Sequence, residues 1–285
     1  MKIVKFLGGL GNQMFQYAFY LFLKQHFKQV KADITGFAGY SLHNGFELED
    51  VFGIRLQQAG PFAIRLYTPE RRDWATRKLR RLYGTKNAWY PEEKEFTYDP
   101  LIAVDKHPRY YWGYWQHYDY IKDIEPQLRK NFQFRERLKG ENSKLLNEVS
   151  GLETVSLHVR RGDYLGHPLL GAICEPDYYR EAIARMEQEL QDPVFIVFSD
   201  DIPWCEKSLP LTNAIYVSWN TGKNSHLDMQ LMSCCRHHII ANSSFSWWGA
   251  WLNKDEAKKV IAPGKWVNLP GTDSSGLLPP NWTRI

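Results

Sequence analysis

The run Val194-Phe195-Ile196-Val197-Phe198 limits the fold more than any other feature of the chain. Five successive apolar residues, three of them β-branched, are too few for a buried helix. They suit a strand covered on both faces, as in a parallel sheet with crossover helices on either side. The same grammar repeats around it with short connections. Candidate strands at Thr154–His158, Ile215–Ser218, His238–Ala241 and Val260–Ala262 alternate with helical patterns at about Pro176–Leu190, Trp204–Leu209, His226–Cys235 and Phe245–Leu252. Such alternation predicts a doubly wound α/β unit. The chain has 285 residues, enough for a second unit before it, with the boundary expected near residue 150.

The first half is less regular. Met1 to Leu7 reads as a strand, and Gly8-Gly9-Leu10-Gly11-Asn12-Gln13 as a turn into a helix of about Asn12–Phe27. Bare N–H groups at a positive helix end favour an anion or hydroxyl. The dinucleotide fingerprint is not matched, because Met14 stands where its third glycine belongs. Residues 65–86 are basic, with Arg65, Arg71, Arg72, Arg77, Lys78, Arg80, Arg81 and Lys86. Thr68-Pro69 resembles a helix start, with Trp74, Leu79, Leu82 and Tyr83 as its apolar stripe. A solvated helix face is favoured there over a patch for acidic lipid or polyanionic glycan. Tyr110 to Tyr118 is dense in aromatics, either packed structure or a wall for a sugar; Asp119 to Asn147 reads as helical and charged.

In an open parallel sheet, ligands bind beyond the carboxyl ends of the strands. His158-Val159-Arg160-Arg161-Gly162-Asp163 follows the first strand of the second half, Ser199-Asp200-Asp201 the next, and Asn242-Ser243-Ser244-Phe245-Ser246-Trp247-Trp248 opens a helix after the fourth. Each has an ordinary reading, as a solvated turn or a helix cap. Taken together they supply what a purine nucleoside diphosphate needs: paired guanidinium donors for phosphates, N–H and hydroxyl groups at a helix end, and a carboxylate for base donors. Asp200-Asp201 is not an Asp-x-Asp metal clamp, so arginine charge is expected in place of a divalent ion.

Composition narrows the alternatives. A net charge of +4 and the lack of an RNA-recognition motif argue against an RNA-binding protein. Arg161-Gly162-Asp163 at the end of a buried strand is a poor adhesion ligand, whereas a non-catalytic glycan-binding module remains an alternative. Cys174, Cys205, Cys234 and Cys235 form no C-x-x-C pair and are expected as buried free thiols. The start does not resemble a signal peptide, and the longest nearby apolar run, Tyr17 to Leu23, is far short of a span. A cytoplasmic protein is expected, at the inner face of the membrane if its acceptor is lipid-linked.

The blocks His158-Val-Arg-Arg-Gly-Asp-Tyr164, Phe198-Ser-Asp-Asp201 and Ile240-Ala-Asn-Ser-Ser-Phe-Ser-Trp-Trp-Gly-Ala-Trp-Leu252 resemble the bacterial α-1,2-fucosyltransferases of glycosyltransferase family eleven. Gly8 to Ala18 and Gly113-Tyr-Trp-Gln116 match as well, and residues 30 to 105 match poorly. The resemblance implies a GT-B architecture of two Rossmann-like domains facing across a cleft, residues 1–150 serving the acceptor and 151–285 the donor. It implies inverting, metal-independent transfer of L-fucose from GDP-fucose to O2 of a terminal β-galactoside. By the same resemblance Arg160 grips the diphosphate and Arg161 either joins it or is structural. His158 and Asp200 lie near guanine, Ser244, Phe245 and Ser246 near the phosphates, and Asn12 near the fucose. No residue is singled out to take the acceptor proton. His43, His117, Asp33 and Asp119 are equal candidates, and the diphosphate or water is another route.

Overall fold

The computed structural model describes residues 1–39, 44–70, 73–92, 94–209 and 211–285. They form two compact units, Met1–Gln133 and Phe134–Ile285. The first unit is built on a four-stranded parallel sheet of β1 (Lys2–Lys5), β2 (Val30–Asp33), β3 (Trp89–Pro91) and β4 (Arg109–Trp112), in the order β2-β1-β4-β3. Its central helix, Leu10–His26, is apolar nearly all round, so it is covered on every side rather than lying on a surface. Phe19 stacks on Trp115 at 4.3 Å between ring centroids, with Tyr111 and Tyr120 edge-on at 5.2 and 5.0 Å. Of the aromatic run, Tyr110, Tyr111 and Trp115 are therefore packing, as is Tyr120 just beyond it.

The second unit holds a six-stranded, wholly parallel sheet. Its strands are β5 (Thr154–Val159), β6 (Val194–Ser199), β7 (Ala214–Val217), β8 (His237–Ile239), β9 (Val260–Ala262) and β10 (Thr283–Arg284), ordered β10-β9-β8-β5-β6-β7. Strand alternation explains the apolar run. Phe195 and Val197 pack with Val155, Leu157 and the helix Pro176–Glu189 on one face. Ile196 and Phe198 pack with Leu145, Leu231 and Met232 on the other. Each such side chain contributes about 1.5–3 kcal/mol on leaving water, which is why β6 is apolar on both faces as far as Phe198.

The division after Gln133 replaces the boundary expected near residue 150. The stretch 119–147 is not one helix. Glu125–Asn131 stays with the first unit, where Phe132 packs on Tyr17 and Phe52 and Asn131 donates to the Tyr17 hydroxyl at 2.8 Å. Gly140–Glu148 instead sets Leu145 against the second sheet. Thr68 closes the preceding helix Pro61–Tyr67, with its backbone extended (ψ 151°), and the helix expected from Thr68-Pro69 begins later, at Trp74. Asp73 caps it, accepting from the Thr76 N–H at 2.9 Å. Of the expected apolar stripe only Leu79 packs inward; Trp74, Leu82 and Tyr83 are exposed. Arg71, Arg72 and His43 lie outside the described residues. All four cysteines are free, but only Cys205 and Cys235 are buried; Cys174 is half-buried and Cys234 exposed. No helix among the described residues is long and apolar enough to cross a membrane.

Candidate functional site

The carboxyl edge of the second sheet collects seven of the eight expected site residues. His158, next to last in β5, is buried, Arg160 to Asp163 form the turn after the strand, Asp200 and Asp201 follow β6, and Ser244–Leu252 is the helix after β8. Ring contact between His158 and Phe245, 6.0 Å between centroids, joins the first segment to the helix start. The Tyr164 hydroxyl donates to the Asn242 carbonyl at 3.3 Å, and Asn242 donates onward to the carbonyls of Leu170 and Trp266.

The two arginines do different things. Arg160 lies with Nη2 2.8 Å from Asp163 and Nη1 3.1 Å from Asp200, its side chain 31% exposed. Arg161 turns the other way. Its Nε pairs with Asp201 at 3.2 Å, and its guanidinium sits 3.9 Å over the Trp204 ring. Asp201 also caps the helix Ile202–Ser208, accepting from the Trp204 N–H. Arg161 thus braces the turn, while Arg160 is the cation held near the strand ends by flanking carboxylates.

Asp200 accepts from the N–H groups of Arg161 (2.9 Å) and Gly162 (3.1 Å) as well as from Arg160. Its carboxylate is the clasp of the arginine turn. His158 is buried, and among the described residues its Nδ1 has no hydrogen-bond partner. Burial first, then the Arg160 charge, pushes its pKa down to about 3, leaving a neutral imidazole at every ordinary pH. Ser246 is buried and its hydroxyl donates back to the Ser243 carbonyl, leaving its backbone N–H at the helix start as its polar offering.

Asn12 stands apart from these seven, in the first unit. Its Oδ1 accepts from Gln116 Nε2 at 2.9 Å. Two fully buried glutamines hold the same glycine turn. Gln13 donates to the Gly8 carbonyl, and Gln16 accepts from the Leu7 N–H and donates to the Gly113 carbonyl. The glycine-rich segment and Gly113–Gln116 are therefore one stitched edge of the first sheet.

That edge carries a residue the sequence did not single out. Glu92, just after β3, accepts through Oε2 from the N–H groups of Tyr114 (2.7 Å) and Trp115 (3.0 Å), while Oε1 makes no hydrogen bond among the described residues. Gly113 lets its side chain lie against the turn, where any Cβ would collide with it. Burial raises the Glu92 pKa to about 7 in spite of the two N–H donors. Nothing in the local charged sequence sets Glu92 apart; only the folded turn does. The earlier candidates are poorer bases. Asp33 is tied to Thr35, Tyr110 and Lys5 and its pKa is lowered, and Asp119 pairs with Lys122 at 2.6 Å. His117 Nδ1 accepts from the Asp119 N–H.

A family model, Glycosyl transferase family 11, matches residues 60–285. The chain is 31% identical to an alpha-1,2-colitosyltransferase of Escherichia coli, over 99% of this chain and 98% of that protein. It is 33% identical to the O-antigen biosynthesis glycosyltransferase WbnK of Escherichia coli, over 98% of each. A mouse galactoside 2-alpha-L-fucosyltransferase, Sec1, is 26% identical over 88% of this chain and 64% of its own length. Among solved structures, the fucosyltransferase NodZ from Bradyrhizobium superimposes with a TM-score of 0.53 at 15% identity, covering 88% of this chain and 93% of NodZ. That likeness is one of fold: α/β, of the GT-B type, with two Rossmann-like units.

Proposed function

This chain belongs to glycosyl transferase family 11 and is a glycosyltransferase, and from that premise we propose that it moves L-fucose from GDP-fucose to O2 of a terminal β-galactoside. The observation that carries the donor half is Arg160, held at the carboxyl edge of the second sheet beside a helix start and a buried imidazole whose Nδ1 has no hydrogen-bond partner among the described residues. Breaking the sugar C1–O bond places charge on the leaving diphosphate, and a fixed planar cation stabilises that charge as it grows. Arg160 is the group for it. His158 faces guanine, Asp200 holds the turn that presents Arg160, and the N–H end of Ser244, Phe245 and Ser246 meets the phosphates.

The reaction proceeds with inversion and without a divalent ion. The partners of Asp200 and Asp201 support the second point: both carboxylates already serve arginines and backbone N–H groups. The first unit takes the acceptor. There Asn12 faces the sugar, and Glu92 removes the galactose hydroxyl proton, with a pKa poised near neutrality.

Colitose, which is fucose without its 3-hydroxyl, is the second donor reading, favoured by the colitosyltransferase relative. Incubation with GDP-fucose or GDP-colitose, a panel of galactosides, and either EDTA or magnesium tests both. The expected product is an α-1,2-linked fucoside by NMR, formed equally well in EDTA. A colitoside only, another linkage, or dependence on magnesium defeats the corresponding part.

A further inference from the structure

The helix pair Pro61–Tyr67 and Trp74–Leu82 exposes large apolar side chains that a solvated surface does not need. Phe62 and Tyr83 are each 56% exposed, Trp74 70% and Leu82 76%. They form a patch: the Phe62 and Tyr83 rings meet edge-on at 6.1 Å, and Trp74, Lys78 and Leu82 lie four residues apart on one helix face. Lys78 Nζ sits 5.2 Å over the Trp74 ring.

The cations of this segment are sorted into two groups. Arg65 and Arg80 work inward. Arg65 bonds Thr76 Oγ1 and pairs with Asp73, while Arg80 donates to the carbonyls of Leu66, Arg65 and Thr68, locking the two helices together. Arg77, Lys78 and Arg81 are exposed and, among the described residues, make no ion pair. No carboxylate occurs anywhere from Trp74 to Lys86.

We propose that this helix pair seats the first unit on an anionic lipid surface. Phe62, Trp74, Leu82 and Tyr83 enter the headgroup boundary, and Arg77, Lys78 and Arg81 meet lipid phosphates. Interfacial helices have this composition, aromatic and leucine side chains beside Lys and Arg; the helix Trp74–Leu82 carries no carboxylate of its own, and Asp73 before it is engaged by the Thr76 N–H and Arg65. A polyanion such as RNA would use the cations and Trp74 but has no use for Leu82, the most exposed of the four. The inference is independent of which sugar is transferred.

Flotation with vesicles of phosphatidylcholine, alone or with about one-third phosphatidylglycerol, tests it. The whole protein is expected to float with the anionic vesicles only. Arg77→Gln/Lys78→Gln/Arg81→Gln should weaken that binding roughly a hundredfold, about fivefold per cation. Trp74→Ser/Leu82→Ser should weaken it as well, with charge unchanged. Both variants alter exposed residues, so thermal melting and transfer to a free oligosaccharide should match the parent. The proposal fails if the parent ignores anionic vesicles at low salt. It fails equally if the serine variant binds undiminished, or if an RNA oligomer binds the parent and is lost with the same two apolar residues. Absence of transfer in the parent would overturn the enzymatic reading alone and leave the vesicle result standing.

Discussion

Oδ2 of Asp200 accepts from the Gly162 N–H at 3.1 Å, and a Cβ built on Gly162 would stand 2.8 Å from that same oxygen. The pairing explains why a glycine follows the two arginines: the residue there must let a carboxylate lie over its backbone. It also fixes the turn from which Arg160 reaches out, since Asp200 binds the Arg161 N–H and the Arg160 guanidinium too.

Gly162→Ala should therefore disable the turn without unfolding the protein. The added methyl forces Asp200 away and costs charge-assisted hydrogen bonds of about 1.5–3 kcal/mol each. GDP affinity by calorimetry is expected to fall at least about tenfold, and the melting temperature to drop by about 2–4 °C for each kcal/mol lost, with the fold retained. Undiminished affinity would mean that the arginine turn is not the diphosphate cradle.

The arginine pair predicts a crossed result. Arg160→Lys keeps charge but loses the planar fork, so transfer should drop by about 2.7–4 kcal/mol in barrier, with stability near the parent's. Arg161→Lys loses the stack on Trp204 and should lower stability by about 1–2 kcal/mol, with GDP affinity largely kept. Chemical denaturation and initial rates on both variants check this; a reversed pattern would exchange the two roles.

The second unit was legible because its strands are buried on both faces. Expected Val194–Phe198 and Val260–Ala262 match β6 and β9 to within a residue, and the helices Pro176–Glu189 and Ser244–Leu252 sit where periodicity put them. The first unit was harder. Val30-Lys31-Ala32-Asp33 and Trp89-Tyr90-Pro91 are short and carry polar residues or proline, so no apolar run marks them as strands. Asp200 and Glu92 illustrate the limit at the site. A carboxylate's use depends on which N–H groups the fold brings to it, and those come from turns distant in sequence.

Acid should destabilise the second unit through a buried imidazole. His238 Nε2 faces Asn253 Nδ2 at 2.9 Å, a group that only donates, so Nε2 is the acceptor and Nδ1–H donates to Ser156 at 2.8 Å. A proton on Nε2 would oppose that donor, and burial holds the pKa well below its ordinary value. With the folded pKa depressed, the folded state binds fewer protons, so its stability is present above about pH 6.5 and is lost as pH falls below it. The denaturant midpoint of the parent relative to that of His238→Gln should decline between about pH 7 and pH 5. That difference isolates His238 from His158, whose pKa is also lowered, and from Glu92, whose raised pKa acts the other way. An equal slope in the variant would remove His238 from the account.

Glu92 predicts opposite pH trends for activity and stability in one residue. Its pKa, raised to about 7 by burial, lies above the ordinary 4.5. The folded state therefore binds the proton more tightly. Its contribution to stability is full below about pH 4.5 and is lost as pH rises through 7, a change on the order of 1–3 kcal/mol after solvent screening. A proton acceptor needs the other form, so kcat should rise with pH through about 7. Glu92→Gln keeps an oxygen for the Tyr114 and Trp115 N–H groups. It should raise stability at pH 8 and lower kcat by about 10²–10⁴, with the acid limb of the kcat profile gone. If Glu92 merely pins the turn, the stability change appears alone and kcat keeps its profile, and the proton must leave with the diphosphate or water instead.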